Sequence, residues 1–293
     1  MDQELADELT RLNQAQRSFV LGLIGTSLLR DWYLGGHDQA NRLADLFAAV
    51  RVLDLRRTDE PVPLEVAAQV GYAEWAPTYD GPNPMIDAES SLLRSLIAPS
   101  LRPGAVVLDA ACGTGRHTAW IAGKGCRTIG LDFTDAMLRR AVAAAPCAGF
   151  VQGDLRALPL ASDSVDAAIC SLALCHLPEL TPPLRELARV LRPTGRLFVS
   201  DPHGRAAYAG GQGFFGEGGI ARPRFIRNYY RQASEWIEAF AECGFLIESC
   251  HEPCMDAASA AAHPVARYFP DAALAALRDI PYLWIWSTIR ADD

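Results

Sequence analysis

Val106-Val-Leu-Asp-Ala-Ala-Cys-Gly-Thr-Gly-Arg-His117 is the stretch that decides how this chain is read. A short apolar run ends in Asp109, and a Gly113-x-Gly115 turn follows within four residues. Thr118 to Ala122 then suits a helix. A buried parallel strand reads as an apolar run of this kind. Without a Cβ, the glycines let the backbone turn sharply and come within contact distance of a ligand. The helix N-terminus beyond presents unpaired N–H donors to that ligand.

Two further acids fall at telling intervals. Asp132 closes the next apolar run, Thr128-Ile-Gly-Leu-Asp132, 17 residues after Gly115. An acid ending the second strand of a nucleotide-binding βαβ unit accepts hydrogen bonds from ribose hydroxyls. Asp154, in Gln152-Gly-Asp-Leu155, follows a third apolar segment, where an acid meets an adenine amino group. The dinucleotide fingerprint Gly-x-Gly-x-x-Gly is not met, because Thr118 stands at the third glycine position, and this argues against NAD.

With these residues the chain resembles the class I S-adenosylmethionine (SAM) dependent methyltransferases, in particular the small-molecule group sharing the D-x-A-C-G-T-G turn. The likeness runs from about Tyr79 to Ile289, with further matches at Gly130–Leu138, Asp163–Ile169 and Leu187–Leu197. It implies SAM as cofactor, S-adenosylhomocysteine as product and a Rossmann-like α/β sheet of seven strands, mostly parallel with the last antiparallel. Around the methionine part it places Asp109 and the backbone of Ala110, Gly113 and Gly115, with Ser171 facing the methionine and Tyr79 at its carboxylate. Asp132 takes the ribose, Phe133 and Met137 sandwich the adenine, and Asp154 and Leu155 meet its edge. A plain turn at Gly81-Pro82-Asn83-Pro84 and strand-end capping by the acids are the structural alternatives for these positions.

A length of 293 residues suits one large domain, or a domain with an appendage. The formal net charge of −8 argues against a nucleic-acid partner, which demands a basic surface. The longest apolar run, Ser18 to Leu29, is shorter than the ~20 residues of a membrane span. An acidic N-terminus does not read as a secretory signal, so a cytoplasmic protein with no membrane partner is expected. The eight cysteines read as reduced thiols. A metal site from Cys250, His251 and Cys254, with His263, is the sharper alternative, and no metal is expected.

Residues 1–60 read as an N-terminal helical extension outside the resemblance. Its first helix spans 3–30, Asp38 N-caps a second that carries Leu43, Leu46, Phe47, Val50 and Leu53, and Thr58 to Pro63 is a linker. The extension could cap a substrate pocket, build a homodimer contact or cover the core. Residues 61–293 read as the methyltransferase domain. Strands are predicted at 105–109, 127–131, 148–151, 165–170, 195–200, 245–250 and 282–289, and helices at 87–98, 115–124, 134–145, 179–191 and 233–243. Strands alternating with helices give a parallel sheet. Inserts at 202–232 and 251–281 interrupt the pattern, and the first, rich in glycine and aromatics, reads as a lid or a surface loop.

Methyl transfer from a sulfonium is a direct displacement, so binding residues are better marked than catalytic ones. General-base candidates are His203, His176 and Asp201, with His117 behind them. His176 and His117 read equally well as structural histidines. Phe225, Tyr229, Tyr230 and Trp236 suit either an acceptor site or the core. The reading that follows is SAM-dependent methyl transfer to a small-molecule O, N or C acceptor, plausible in secondary metabolism. The alternatives are non-methylating chemistry on the same fold (elimination, cyclisation or isomerisation) and a non-catalytic partner subunit.

Overall fold

The computed structural model describes residues 3–12, 14–35, 38–53, 63–81, 83–205, 212–215 and 224–292. The chain opens with helices α1 (Gln3–Thr10), α2 (Gln14–Tyr33) and α3 (Gln39–Val52). The first expected helix is thus two. Asp38 does precede α3, but its carboxylate accepts from the side chains of Asn41 and Arg42 instead of capping the backbone. The expected linker lies almost wholly outside the described residues.

A short strand β1 (Leu64–Val66), helix α4 (Ala68–Trp75) and a 3₁₀ turn Ala76–Thr78 lead to α5 (Pro84–Ile97). Asn83 caps α5, accepting from the amides of Met85 and Ile86. The βα alternation follows: β2 (Val106–Ala110), α6 (Arg116–Ala122), β3 (Arg127–Asp132), α7 (Asp135–Ala144), β4 (Gly149–Gln152), β5 (Val165–Ser171), α8 (Thr181–Val190) and β6 (Leu191–Pro202). Strands β7 (Gly213–Phe215) and β8 (Arg224–Ile226) precede α9 (Ala233–Glu242), β9 (Phe245–His251), α10 (Ala257–Ala262), α11 (Pro270–Leu277) and β10 (Leu283–Arg290).

Seven strands form one sheet in the order β4-β3-β2-β5-β6-β10-β9, with β10 antiparallel to both neighbours. The remaining pairs are parallel, as the alternation requires. The chain starts at β2, winds outward through β3 and β4, then returns to β5. The strand order therefore reverses between β2 and β5, and ligands of open α/β sheets lie outside the carboxyl ends at that point. One face of the sheet buries Leu108, Leu131, Leu184, Leu187, Trp236 and Phe240 in a continuous core.

Two compact units divide the chain. The described residues of the first are 3–12, 14–35, 38–53 and 254–282, whose helices bury Leu9, Val20, Ile24, Ala49, Phe269 and Ala272 together. The second holds both sheets, from residues 63–81, 83–205, 212–215, 224–253 and 283–292. Most of the insert read at 251–281 therefore packs with the N-terminal helices, not with the sheet. Leu43, Phe47 and Val50 do lie on a helix, α3, and are exposed. Of the insert at 202–232, residues 206–211 and 216–223 lie outside the described residues. What is described builds a second sheet, β1-β8-β7, that hydrophobic periodicity did not suggest because each strand has three residues.

Candidate active site

A cleft opens at the strand-order reversal, between the ends of β2, β3 and β5. Gly113 lines it with φ +55°, a conformation side chains resist, and a Cβ there would meet no protein atom within 4 Å. It would project into the empty space. Gly115 differs. Its φ of +88° starts α6, and a Cβ would sit 2.9 Å from Ala141 Cα. The second glycine thus lets α6 and α7 approach, instead of admitting a ligand. Ala111 and Leu172, at the ends of β2 and β5, also hold positive φ on the cleft wall. Such strained residues cluster at functional sites.

Of the predicted binding residues, Tyr79, Gly113, Asp132, Phe133, Met137, Asp154, Leu155 and Ser171 line the cleft together. Asp132 is buried. Its Oδ2 accepts from the Gly113 amide at 2.9 Å and its Oδ1 from the Thr134 amide at 2.8 Å. Burial raises its pKa, opposed by those amides. A carboxylate has about four acceptor sites. Two remain, one on each oxygen, which suits a vicinal diol. Asp154 is paired instead. Arg156 donates to both of its oxygens, at 2.6 Å from Nη2, and through its amide to Oδ1, holding the carboxyl below its usual range.

Asp109, Tyr79 and Ser171 border a smaller recess with Gly113, Arg116 and His117. Asp109 is buried, accepts from Thr118 Oγ1 at 2.5 Å, and burial raises its pKa. Ala110 is wholly buried in the core and lines neither space. Behind the recess lies a network that sequence reading missed. Glu89 of α5 is fully buried and accepts from Arg116 Nη1 (2.7 Å), Ser171 Oγ (2.8 Å) and Ser200 Oγ (2.5 Å). His117 Nε2 lies 3.5 Å away. Burial pushes the Glu89 carboxyl up, but these donors outweigh it and hold it well below the carboxylate range. Arg116 Nη2 also donates to Ser171 Oγ at 2.7 Å. The signal was present: Glu89 falls on the stripe Ile86-Ser90-Leu93-Ile97 that α5 turns inward, and a charge on an apolar stripe implies a buried partner.

An aromatic wall closes the other side. Tyr72 and Tyr79 line the cleft, with ring centroids 5.9 Å apart. Trp75 backs Tyr79 at 5.2 Å and stacks on Phe215 of β7 at 5.8 Å. His176 also lines the cleft. Its Nδ1 lies 3.0 Å from the Arg227 carbonyl oxygen, and its Nε2 lies 2.7 Å from the Tyr72 hydroxyl. Burial lowers the His176 pKa and raises that of Tyr72 well above its usual value.

His203 and Asp201 line neither space among the described residues. His203 is buried under Trp284, with Nδ1 accepting from the Arg205 amide and Nε2 paired with Glu252 at 2.9 Å. Both ring nitrogens are engaged, so no lone pair is available to an acceptor. Asp201 is buried with Oδ1 unpartnered. Burial raises its pKa to about 7, against hydrogen bonding at Cys175 and the charge of Arg231. Trp236 is wholly buried in the core, and Phe225, Tyr229 and Tyr230 do not line the cleft. No cluster of residues able to hold a metal occurs among the described residues, and no described helix is long and apolar enough to cross a membrane.

This geometry has counterparts in known proteins. Residues 108–199 match the family described as a methyltransferase domain. Over 142 residues the chain is 35% identical to a demethylmenaquinone methyltransferase of Renibacterium salmoninarum, spanning 47% of this chain and 59% of that protein. It is 38% identical over 107 residues to the demethylmenaquinone methyltransferase of Beutenbergia cavernae, spanning 36% and 45%. These matches thus span about half the length of the curated relatives. The solved structure of an S-adenosylmethionine dependent methyltransferase from Mesorhizobium loti aligns with a TM-score of 0.55 at 26% identity, covering 72% of this chain and 99% of that one. Residues 108–199 thus carry the signature of a methyltransferase domain, on a sheet like that of the S-adenosylmethionine dependent methyltransferase from Mesorhizobium loti. The residues present fit SAM: a glycine that leaves the cleft open, and a buried carboxylate with an acceptor site left on each oxygen.

Proposed function

We propose that this chain transfers the methyl group of SAM to a small-molecule acceptor held against the aromatic wall. The observation that carries this is the meeting of Gly113, Asp132, Phe133 and Met137 in one cleft beside Tyr79, Ser171 and His176. When bound, SAM supplies an electrophilic methyl on a sulfonium. Asp132 takes the ribose hydroxyls through its two remaining acceptor sites. Phe133 and Met137 enclose the adenine, and Leu155 and Asp154 border its edge, where Arg156 shares the carboxylate. Tyr79, Ser171 and Arg116 surround the methionine end. Tyr72 and His176 face the acceptor, and the apolar wall excludes water. Orienting the two reactants in this way supplies up to ~7–11 kcal/mol of the barrier.

The relatives named for demethylmenaquinone make a hydroxylated aromatic ring the first acceptor class to test, with methylation at carbon or oxygen. A place in secondary metabolism and a homodimer built on the N-terminal helices complete the proposal. The test is incubation of the full chain with SAM and chemically reduced demethylmenaquinone bearing a short side chain, read by mass spectrometry. Methylated product and S-adenosylhomocysteine in equal amounts are expected. Altered acceptor without S-adenosylhomocysteine would transfer the assignment to the non-methylating alternative.

A further inference from the structure

The hydrogen bonds of His176 fix its tautomer. The Arg227 carbonyl can only accept, so the proton between it and the ring belongs to Nδ1. In the neutral ring Nε2 is then bare, and it accepts from the Tyr72 hydroxyl. Tyr72 and His176 come from segments 104 residues apart, and both are accessible from the cleft. The second sheet anchors the pair. Arg227 directly follows β8, and the Tyr229 amide donates to the Cys175 carbonyl at 2.6 Å beside it. β8 in turn pairs with β1, which leads into α4 and Tyr72. The small sheet therefore holds both ends of one hydrogen-bonded chain.

We propose that Tyr72 is a catalytic residue, relaying a proton from a hydroxyl of the aromatic acceptor to His176. The step balances. The acceptor O–H bond breaks as its proton passes to Tyr72 Oη, and the Tyr72 proton passes to His176 Nε2. The electron pair stays on the acceptor, where it raises the nucleophilicity of the oxygen or of the conjugated ring carbon. Tyr72 begins and ends neutral. The imidazolium is stabilised through Nδ1–H by the Arg227 carbonyl. Burial keeps His176 unprotonated and Tyr72 protonated in the resting site, as the relay requires. This inference rests on the methyltransferase reading for the identity of the reaction, but not for the existence of the dyad.

The experiment has two arms on the full chain. In the first, ¹⁵N-histidine NMR with S-adenosylhomocysteine present and no acceptor is expected to show His176 protonated at Nδ1 and hydrogen-bonded at Nε2. Tyr72→Phe should move the Nε2 resonance to its unbonded position. In the second, turnover of reduced short-chain demethylmenaquinone is followed by S-adenosylhomocysteine release. Tyr72→Phe and His176→Gln should each lower kcat about 10²-fold, with acceptor KM and S-adenosylhomocysteine Kd changing less than about threefold. The double variant should be no slower than either single one, because the pair acts as a unit. An unchanged Nε2 resonance, additive losses, full turnover by Tyr72→Phe, or a wild type that binds S-adenosylhomocysteine yet does not methylate the quinol would each overturn the relay. A wild type that fails to bind S-adenosylhomocysteine by calorimetry would instead overturn the functional reading, and the NMR arm would still decide the dyad.

Discussion

The two ends of the cleft are built by opposite strategies. The nucleoside end is made of strand ends and the turns directly after them. Asp132 finishes β3, Phe133 follows it, and Gly113 lies in the turn after β2. The acceptor end is assembled from pieces remote in the chain: Tyr72 on α4, His176 after β5, the Arg227 carbonyl after β8 and Phe215 on β7. The first is fixed by the main sheet itself, while the second depends on a separate sheet of three short strands. A rigid donor site and a separately built acceptor site allow acceptor chemistry to change without disturbing the fold.

The largest expected effect is at the nucleoside end. Gly113→Val places a branched side chain at positive φ and into the cleft, and should reduce S-adenosylhomocysteine affinity more than about 100-fold by calorimetry. Wild-type affinity in that variant would remove the cleft from the account. Glu89→Gln tests the seam between the two ends. It removes the charge that neutralises Arg116 while keeping the shape, and should weaken S-adenosylhomocysteine about tenfold and lower the melting temperature. A variant that melts as wild type does would show that the network contributes no stability.

At the acceptor end the test falls on Asp201, which lies beneath it and is read through stability instead of ligand affinity. Its folded pKa of about 7 lies above its unfolded value, so the folded state binds the extra proton. Its contribution favours folding below the unfolded pKa, near 3.8, and is progressively lost as pH rises to about 7. Asp201→Asn should match wild-type stability below about pH 4, gain on it between about pH 4 and 7, and keep a constant advantage above that. A gap independent of pH would mean that Asp201 is not a buried, proton-holding acid.

The same contrast explains what the sequence reveals. Asp132 and Gly113 are legible because strand, turn and acid are contiguous and each residue type has a local reason. The seven main strands are legible because buried apolar runs alternate with amphipathic helices. Tyr72 and the Arg227 carbonyl are not, because their role exists only once His176, 104 and 51 residues away, is brought between them. Glu89 stands 27 residues from Arg116, and only its place on an apolar stripe hints at a partner. His203 and Asp201 read well as strand-end bases, yet Trp284, Glu252 and the surrounding core enclose them. The grouping of residues 254–282 with the N-terminal helices is illegible for the same reason, since no local pattern states which surface a helix will cover.

Whether the Asp132 carboxylate grips the ribose of the cofactor is decided by calorimetry of S-adenosylhomocysteine with wild type and Asp132→Ala. Two charge-assisted hydrogen bonds, at ~1.5–3 kcal/mol each, are lost in the variant, so affinity should fall by at least about 100-fold. A ligand-free melt would monitor the loss of the Gly113 and Thr134 amide contacts. Equal affinity in the two proteins, with the variant still folded, would mean that Asp132 does not hold the ribose.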